Sequence, residues 1–180
     1  MFIKSVFQFF SCKANGLLAS TNLNDPKEAQ INADLAYDYG RNVGIAFQLV
    51  DDIIDFVSST EVLGKPAAAD LKLGLATAPV LFATTKYPEL EEMIARRFSK
   101  EGDVEKAFQF VSKHHVLKKK KFVHNFSVKL QVLESDGLDR TRSLAREHCD
   151  LALNAIESLT ESKYKWALAS LTDSVINRLK

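Results

Sequence analysis

Three aspartates lie within five residues of one another, in the run Asp51-Asp52-Ile53-Ile54-Asp55. In a helix, Asp51 and Asp55 would share one face, where like charges repel each other. Burying such carboxylates without a counter-charge costs on the order of several kcal/mol each, because their hydration is lost. A divalent cation removes this conflict, and Mg²⁺ typically binds one or two carboxylates together with substrate phosphates. The spacing therefore predicts a Mg²⁺ site at Asp51, Asp52 and Asp55 that a phosphate-bearing ligand completes.

The residues around the aspartates distinguish this prediction from a simpler alternative, a solvated acidic helix face, which is common in proteins. A solvated face is expected to carry polar neighbours, whereas the neighbours here are mostly apolar. They are Phe47, Leu49, Val50, Ile53, Ile54 and Phe56. This environment favours a functional site.

Three further polar residues could assist a phosphate ligand. Gln48 lies one helical turn before Asp52 and could hydrogen-bond a ligand or satisfy a buried neighbour. Lys65 follows Gly64 in a segment rich in helix breakers, and Lys72 lies shortly after it. Either lysine could place an ammonium group on a phosphate, and either could equally be an ordinary solvated side chain.

A long helix must carry the aspartates. Apolar residues recur at steps of three and four from Lys27 to Val57, which predicts one helix there, with Pro26 in its first turn. A loop is predicted from Ser58 to Asp70, because breakers cluster there. Shorter helices are predicted from Thr77 to Lys86, from Glu89 to Phe98 and from Asp103 to Ser112.

Residues His114 to Glu134 interrupt the helical pattern. They contain a run of four lysines, Lys118 to Lys121, and then a strand-like alternation of apolar and polar residues from Phe126 to Val132. The three histidines His114, His115 and His124 have no acidic or thiolate partner at a useful spacing for a metal, and the lysine run is typical of a solvated loop. Helical patterning resumes at Asp136, and a last helix is predicted from Ser162 to Leu179.

The composition agrees with an all-α domain. The 180 residues suit one core, and 7 glycines and 4 prolines are few enough to favour long helices over strands and turns. A net charge of +1 argues against nucleic-acid binding by the whole chain. Cys12 and Cys149 have no metal-type spacing, and no apolar run is long enough to cross a bilayer.

Two joined segments resemble the trans-isoprenyl diphosphate synthase family. The run from Gly40 to Phe56, GRNVGIAFQLVDDIIDF, resembles the family's second aspartate-rich helix. The run from Gly64 to Leu81 resembles the segment that follows that helix, and the joined pattern is far more specific than the aspartate motif alone. Within the family, the similarity is greatest to the long-chain decaprenyl and solanesyl diphosphate synthases of ubiquinone side-chain synthesis.

The resemblance implies a fold, a reaction and a set of residue roles. The fold is the all-α isoprenoid-synthase bundle, and the reaction is Mg²⁺-dependent condensation of an allylic diphosphate with isopentenyl diphosphate to give a long-chain polyprenyl diphosphate. By resemblance, Asp51, Asp52 and Asp55 serve the second metal site. Lys65 and Lys72 contact diphosphate, while Gln48 lies near the reacting end. Asp51, Gln48 and Lys65 are then the residues expected to act in catalysis.

The chain departs from the family pattern in three places. The first aspartate-rich motif and the residues that hold isopentenyl diphosphate belong to the family's N-terminal half, so we expect this chain to correspond to the C-terminal half. Residues 1–10 do not match the family, and residues 114–134 are expected to be an insert in one partial synthase domain that spans 1–180. We accordingly expect the chain to be inactive by itself.

Two other functions fit the same resemblance. A non-catalytic partner or regulatory subunit of a heteromeric prenyl synthase would keep the helices without the chemistry, although it would have no use for three clustered aspartates. A class I terpene cyclase also carries such a motif on an all-α fold, but the segment from Gly64 to Pro79 fits the chain-elongating synthases better. The family resemblance further implies a homodimer or heteromer and a mitochondrial location.

Overall fold

The computed structural model describes residues 25–61, 69–119 and 136–179, and every regular element among them is a helix. The helices are α1 (Pro26–Glu61), α2 (Ala69–Lys72), α3 (Ala78–Ala83), α4 (Glu89–Ala95), α5 (Asp103–Lys119), α6 (Gly137–Ala155) and α7 (Lys163–Asn177). The prediction of an all-α chain is therefore confirmed for these residues. Within the same residues, no helix combines the length and the apolar character that a bilayer span requires.

Several predicted helix bounds differ from the observed ones. The long helix continues to Glu61, so the loop predicted to begin at Ser58 was wrong over its first turn, because serine and threonine disfavour a helix only mildly. The predicted loop also contains the start of α2 at Ala69. Helix α5 continues to Lys119, so His114 and His115 lie in a helix. The predicted strand-like stretch from Phe126 to Val132 lies outside the described residues.

The chain divides into two compact units, and α1 contributes to both of them. The first unit contains residues 25–50 and 143–179 among those described, and the second contains residues 51–142 with the gaps stated above. The long helix thus supplies its first part to one core and its last part, beginning at Asp51, to the other.

In the first unit, buried polar groups join α1 to α6 and α7. The hydroxyl of Tyr39 donates a 2.9 Å hydrogen bond to the carbonyl of Leu168, and the hydroxyl of Thr172 donates to the same carbonyl at 3.1 Å. Tyr39 also packs with Ala152 and Ile156 in a small apolar cluster. Because buried polar groups are costly when unpaired, the bond between Tyr39 and Leu168 favours one register of α1 against α7.

A histidine in the same unit is held in its neutral form. The side-chain amide of Asn42 donates to the carbonyl of Asp38, so its oxygen is left to accept from Nδ1 of His148 at 2.8 Å. Burial lowers the pKa of His148 below its ordinary value; the charge of Glu147 opposes this shift and that of Arg41 adds to it. The neutral ring with its proton on Nδ1 is therefore the form that fits this position.

In the second unit, aromatic side chains stack α1 on α5, and the short helices α2, α3 and α4 also contact α5. The rings of Phe56 and Phe108 stack with centroids 5.8 Å apart, and those of Tyr87 and Phe110 stack at 4.3 Å. The fully buried side chains in this unit are mainly aliphatic: Ile53, Leu71, Val80, Leu90 and Val111, together with Phe56. This core fixes the second half of α1 among the short helices that follow it.

The turn between α4 and α5 is strained and braced. Arg97 and Phe98 both have positive φ angles, 55° and 53°, which are unfavourable for residues with a Cβ atom. This conformation ends the helix predicted to reach Phe98. The neighbouring Arg96 donates two 2.7 Å hydrogen bonds to the buried carboxylate of Asp103, and these hold the pKa of Asp103 below its ordinary value. Gly74 lies against this turn, since a Cβ atom at Gly74 would be 3.1 Å from both Cβ and O of Arg97.

We expect Gly74→Ala to lower the free energy of unfolding by more than Gly102→Ala does. Both glycines have positive φ angles, +75° and +85°, so both variants incur a backbone cost of about 1 kcal/mol. Only the alanine at position 74 would also press on Arg97, because nothing lies within 4 Å of a Cβ atom at Gly102. Urea unfolding of the two variants measures the difference. Equal losses would show that the loop at Gly74 can move away from the turn.

We also expect acid to destabilise the wild type more than it destabilises His148→Gln. The pKa of His148 is lower in the folded chain than in the unfolded one, so protonation favours unfolding. Its contribution to stability is complete above a pH of about 6.5 and is lost as the pH falls towards the folded pKa. Urea midpoints of both proteins at pH 7.5 and pH 5 test this. A wild-type shift no larger than that of the variant would contradict it.

Candidate functional site

The second unit brings four aspartates together around the end of α1. Asp51, Asp52 and Asp55 lie on α1, as predicted, and Asp70 lies on α2. Two of them are strongly buried, since Asp52 is 5% exposed and Asp70 is 8% exposed. The site therefore consists of the three aspartates that the sequence singled out and a fourth that it did not.

Asp55 connects α1 to the first residues of α2. The backbone N–H of Ala69 donates to Oδ1 of Asp55 at 3.3 Å, and that of Asp70 donates to Oδ2 at 3.4 Å. Backbone N–H groups at the start of a helix lack partners within the helix, so a carboxylate satisfies them well. This contact brings the backbone of Asp70 next to the carboxylate of Asp55.

Asp70 carries a charge that its surroundings disfavour. Burial raises the pKa of Asp70 above its ordinary value, and the negative charges of Asp55 and Asp51 raise it further. Three carboxylates thus act on one another with a net negative charge that a cation would compensate. Sequence reasoning missed Asp70 because it was placed at the end of a predicted loop; its position after the Gly64-Lys65 segment was the available signal.

Asp52 faces a different element from its neighbours. Its Oδ2 accepts a 3.4 Å hydrogen bond from the backbone N–H of Ala78, the first residue of α3. The charges that act on Asp70 are those of Asp55 and Asp51. Adjacent residues in a helix point about 100° apart, which accounts for the separation of Asp52 from Asp51.

The remaining predicted residues are less closely joined to the aspartates. Gln48 is half-buried on α1, one turn before Asp52. Lys72 ends α2 and is exposed, two residues after Asp70. Lys65 lies outside the described residues, so its predicted contact with diphosphate stays a prediction.

The donor set fits a hard divalent cation, because it consists of carboxylate oxygens. Among residues 25–61, 69–119 and 136–179, however, no three His, Cys, Asp or Glu side chains converge closely enough to enclose a metal by themselves. Mg²⁺ usually binds proteins through one or two carboxylates, with the other ligands from water and substrate phosphate. The arrangement suits a cation that a phosphate-bearing ligand helps to hold.

Comparison with known families agrees with this chemistry. The sequence model of the polyprenyl synthetase family matches residues 8–111, more than half of the chain. The chain belongs to the polyprenyl synthetase family. This confirms the resemblance drawn from the aspartate-rich helix and the segment after it.

Similar proteins are named as long-chain synthases. The chain is 43% identical to the all trans-polyprenyl-diphosphate synthase of Mus musculus over 170 residues, which are 94% of this chain and 35% of that protein. It is 46% identical to the mitochondrial hexaprenyl pyrophosphate synthase of Saccharomyces cerevisiae, over 82% of this chain and 27% of that protein. The chain thus spans about a third of the length of the curated relatives that it matches.

A solved structure shows the same fold. The apo form of a medium/long-chain prenyl pyrophosphate synthase from Arabidopsis superposes with a TM-score of 0.68 at 36% identity. The superposition covers 94% of this chain and 50% of that one. The predicted isoprenoid-synthase fold is therefore confirmed, over a part of the bundle.

We expect Asp70→Asn to stabilise the metal-free protein at neutral pH. The substitution removes a buried charge that the charges of Asp55 and Asp51 oppose. The raised pKa of Asp70 means that deprotonation disfavours folding, so the gain should shrink in acid. Thermal unfolding in EDTA measures it, with Asp150→Asn on the exposed face of α6 as the control. Destabilisation by Asp70→Asn alone would show that the carboxylate makes a favourable contact.

Proposed function

We propose that this chain carries the second aspartate-rich, diphosphate-binding half-site of a long-chain polyprenyl diphosphate synthase. The observation that carries the proposal is that Asp51 and Asp55 lie one turn apart on α1, with the start of α2 and its buried Asp70 held on Asp55 by two backbone hydrogen bonds. Family membership and the names of the relatives support the same reaction. That reaction joins an allylic diphosphate to isopentenyl diphosphate and belongs to isoprenoid and ubiquinone side-chain synthesis.

Asp51 and Asp55 would hold Mg²⁺ on the diphosphate of the allylic substrate. When bound, Mg²⁺ supplies positive charge that stabilises the departing diphosphate. Asp51 is half-buried on α1 and Asp55 lies one turn later, so both can present oxygen atoms on one face. Asp55 already accepts two backbone hydrogen bonds, which fix its orientation. Asp70 adds charge next to both.

Basic and amide side chains would orient the substrate. Lys72 is exposed at the end of α2 and can reach a diphosphate as a point charge, and Lys65 is proposed to do the same. Gln48 is proposed to lie near the reacting end of the allylic chain. In the reaction, the allylic C–O bond breaks, a carbon–carbon bond forms with isopentenyl diphosphate, and a proton leaves the new chain.

The setting of the reaction is part of the proposal. The relative from Saccharomyces cerevisiae carries the word mitochondrial in its name, which supports a mitochondrial location. The family resemblance supports a homodimer or a heteromer with a second prenyl synthase subunit. Because the chain spans about a third of its curated relatives, we expect it to bind magnesium diphosphate without turning substrate over alone.

Calorimetric titration with inorganic pyrophosphate tests the proposal. We expect binding that requires Mg²⁺ and that weakens about 10- to 100-fold in Asp51→Asn. Lys72→Gln should weaken binding by a smaller factor, because an exposed lysine contributes modestly. The matched controls are Asp150→Asn and Lys100→Gln, both on exposed positions. If pyrophosphate fails to bind with Mg²⁺, a non-catalytic partner subunit becomes the better explanation.

A further inference from the structure

The helix α3 lacks the capping bond that its own sequence could provide. Thr77 occupies the N-cap position with extended φ and ψ angles of −89° and 171°, yet its side chain makes no capping hydrogen bond. The hydroxyl oxygen of Thr77 is buried and has no hydrogen-bond partner. A threonine at this position usually caps its helix, so something else has taken that role.

The carboxylate of Asp52, which lies on α1, provides this cap instead. Oδ2 of Asp52 accepts from the backbone N–H of Ala78, the first residue of α3, at 3.4 Å. The next residue, Pro79, has no N–H group, and the N–H of Val80 is already bonded to the carbonyl of Thr77. Asp52 therefore accepts from the first N–H group of α3, which the side chain of Thr77 does not cap.

The same contact gives a hydrogen-bond partner to a carboxylate that is only 5% exposed. The first N–H groups of a helix are partial positive charges, and a carboxylate next to them is stabilised. Asp55, one turn later on α1, accepts instead from the first N–H groups of α2. Of the motif's three aspartates, Asp52 is buried, whereas Asp51 and Asp55 are half-buried and more accessible to a cation.

We infer that Asp52 is a positioning residue that caps α3 from α1, and that it does not bind the metal. By holding Ala78, it fixes the connection from Lys72 to α3 relative to Asp51 and Asp55. This connection includes Gly74, which packs against the strained turn at Arg97. The part of the inference that concerns the metal rests on the proposed function, whereas the capping role does not.

Variants of two adjacent aspartates separate the capping of α3 from metal binding. Asp52→Asn keeps an acceptor oxygen and loses the charge, Asp52→Ala loses both, and Asp51→Asn is the matched control. Two readouts are taken: hydrogen exchange of the Ala78 amide by NMR, and the Mg²⁺-dependent affinity for pyrophosphate. Thermal unfolding accompanies both.

We expect Asp52→Ala to speed exchange at Ala78 roughly tenfold or more and to lower the melting temperature by about 3–6 °C. Asp52→Asn should restore most of the protection and keep the affinity for pyrophosphate within about threefold of the wild type. Asp51→Asn should do the reverse, with normal exchange at Ala78 and an affinity loss of about 10-fold or more.

Two results would overturn the inference. An unchanged Ala78 amide in Asp52→Ala would remove the capping role. Asp52→Asn that loses pyrophosphate affinity as strongly as Asp51→Asn, with Ala78 still protected, would make Asp52 a ligand. If Asp52→Ala does not fold, Asp52→Asn decides: a protected Ala78 with unchanged pyrophosphate affinity supports the inference, and lost affinity with Ala78 still protected refutes it. Failure of the wild type to bind pyrophosphate would count against the proposed function and leave the Ala78 readout to decide the capping role.

Discussion

Hydrogen bonds from the first N–H groups of two short helices to carboxylates on α1 hold the candidate site together. Asp55 accepts from Ala69 and Asp70 at the start of α2, and Asp52 accepts from Ala78 at the start of α3. Helices of four and six residues are too short to be stable by themselves, because nucleation is unfavourable. Their position therefore depends on contacts outside themselves. The aspartates supply these contacts at the polar ends, and the buried side chains of Leu71 and Val80 supply them in the core.

The hydrogen bonds from α2 to Asp55 also bring negatively charged side chains close to one another. By binding the first N–H groups of α2, Asp55 brings Asp70 to a buried position where the charges of Asp55 and Asp51 raise its pKa. A sequence selected for stability alone would place a neutral residue there, since unpaired buried charges are unfavourable. Positions where a chain departs from what stability alone favours tend to lie at functional sites. The strained turn at Arg97, which Gly74 contacts, lies in the same unit and is braced by the bonds between Arg96 and Asp103.

Periodicity and composition were sufficient for the parts of the fold that depend on local sequence. The long helix, its start at Pro26 and the position of the aspartates on it followed from apolar spacing. What the sequence did not indicate depended on contacts between distant residues. Helix α2 forms where Asp55 meets Ala69, fourteen residues later, and Asp70 became visible as a site residue only through that contact. The early end of α4 depends on the left-handed backbone at Arg97 and Phe98, which no local propensity favours. The roles of Gln48, Lys65 and Lys72 were carried over from the family and stay predictions.

The geometry also constrains the order in which a metal and a substrate can bind. Within the part of the chain that the structure describes, the carboxylates repel one another but do not enclose a cation. A Mg²⁺ ion held by one or two of them would keep most of its water, and its affinity would be low. A diphosphate brings several further oxygen ligands and additional negative charge, so each partner improves the site for the other. By linkage, the two must then increase each other's affinity by the same factor. A site of this kind remains weak towards the free metal and becomes strong only when the substrate is present, because the carboxylates alone supply few of the oxygen ligands that the cation needs.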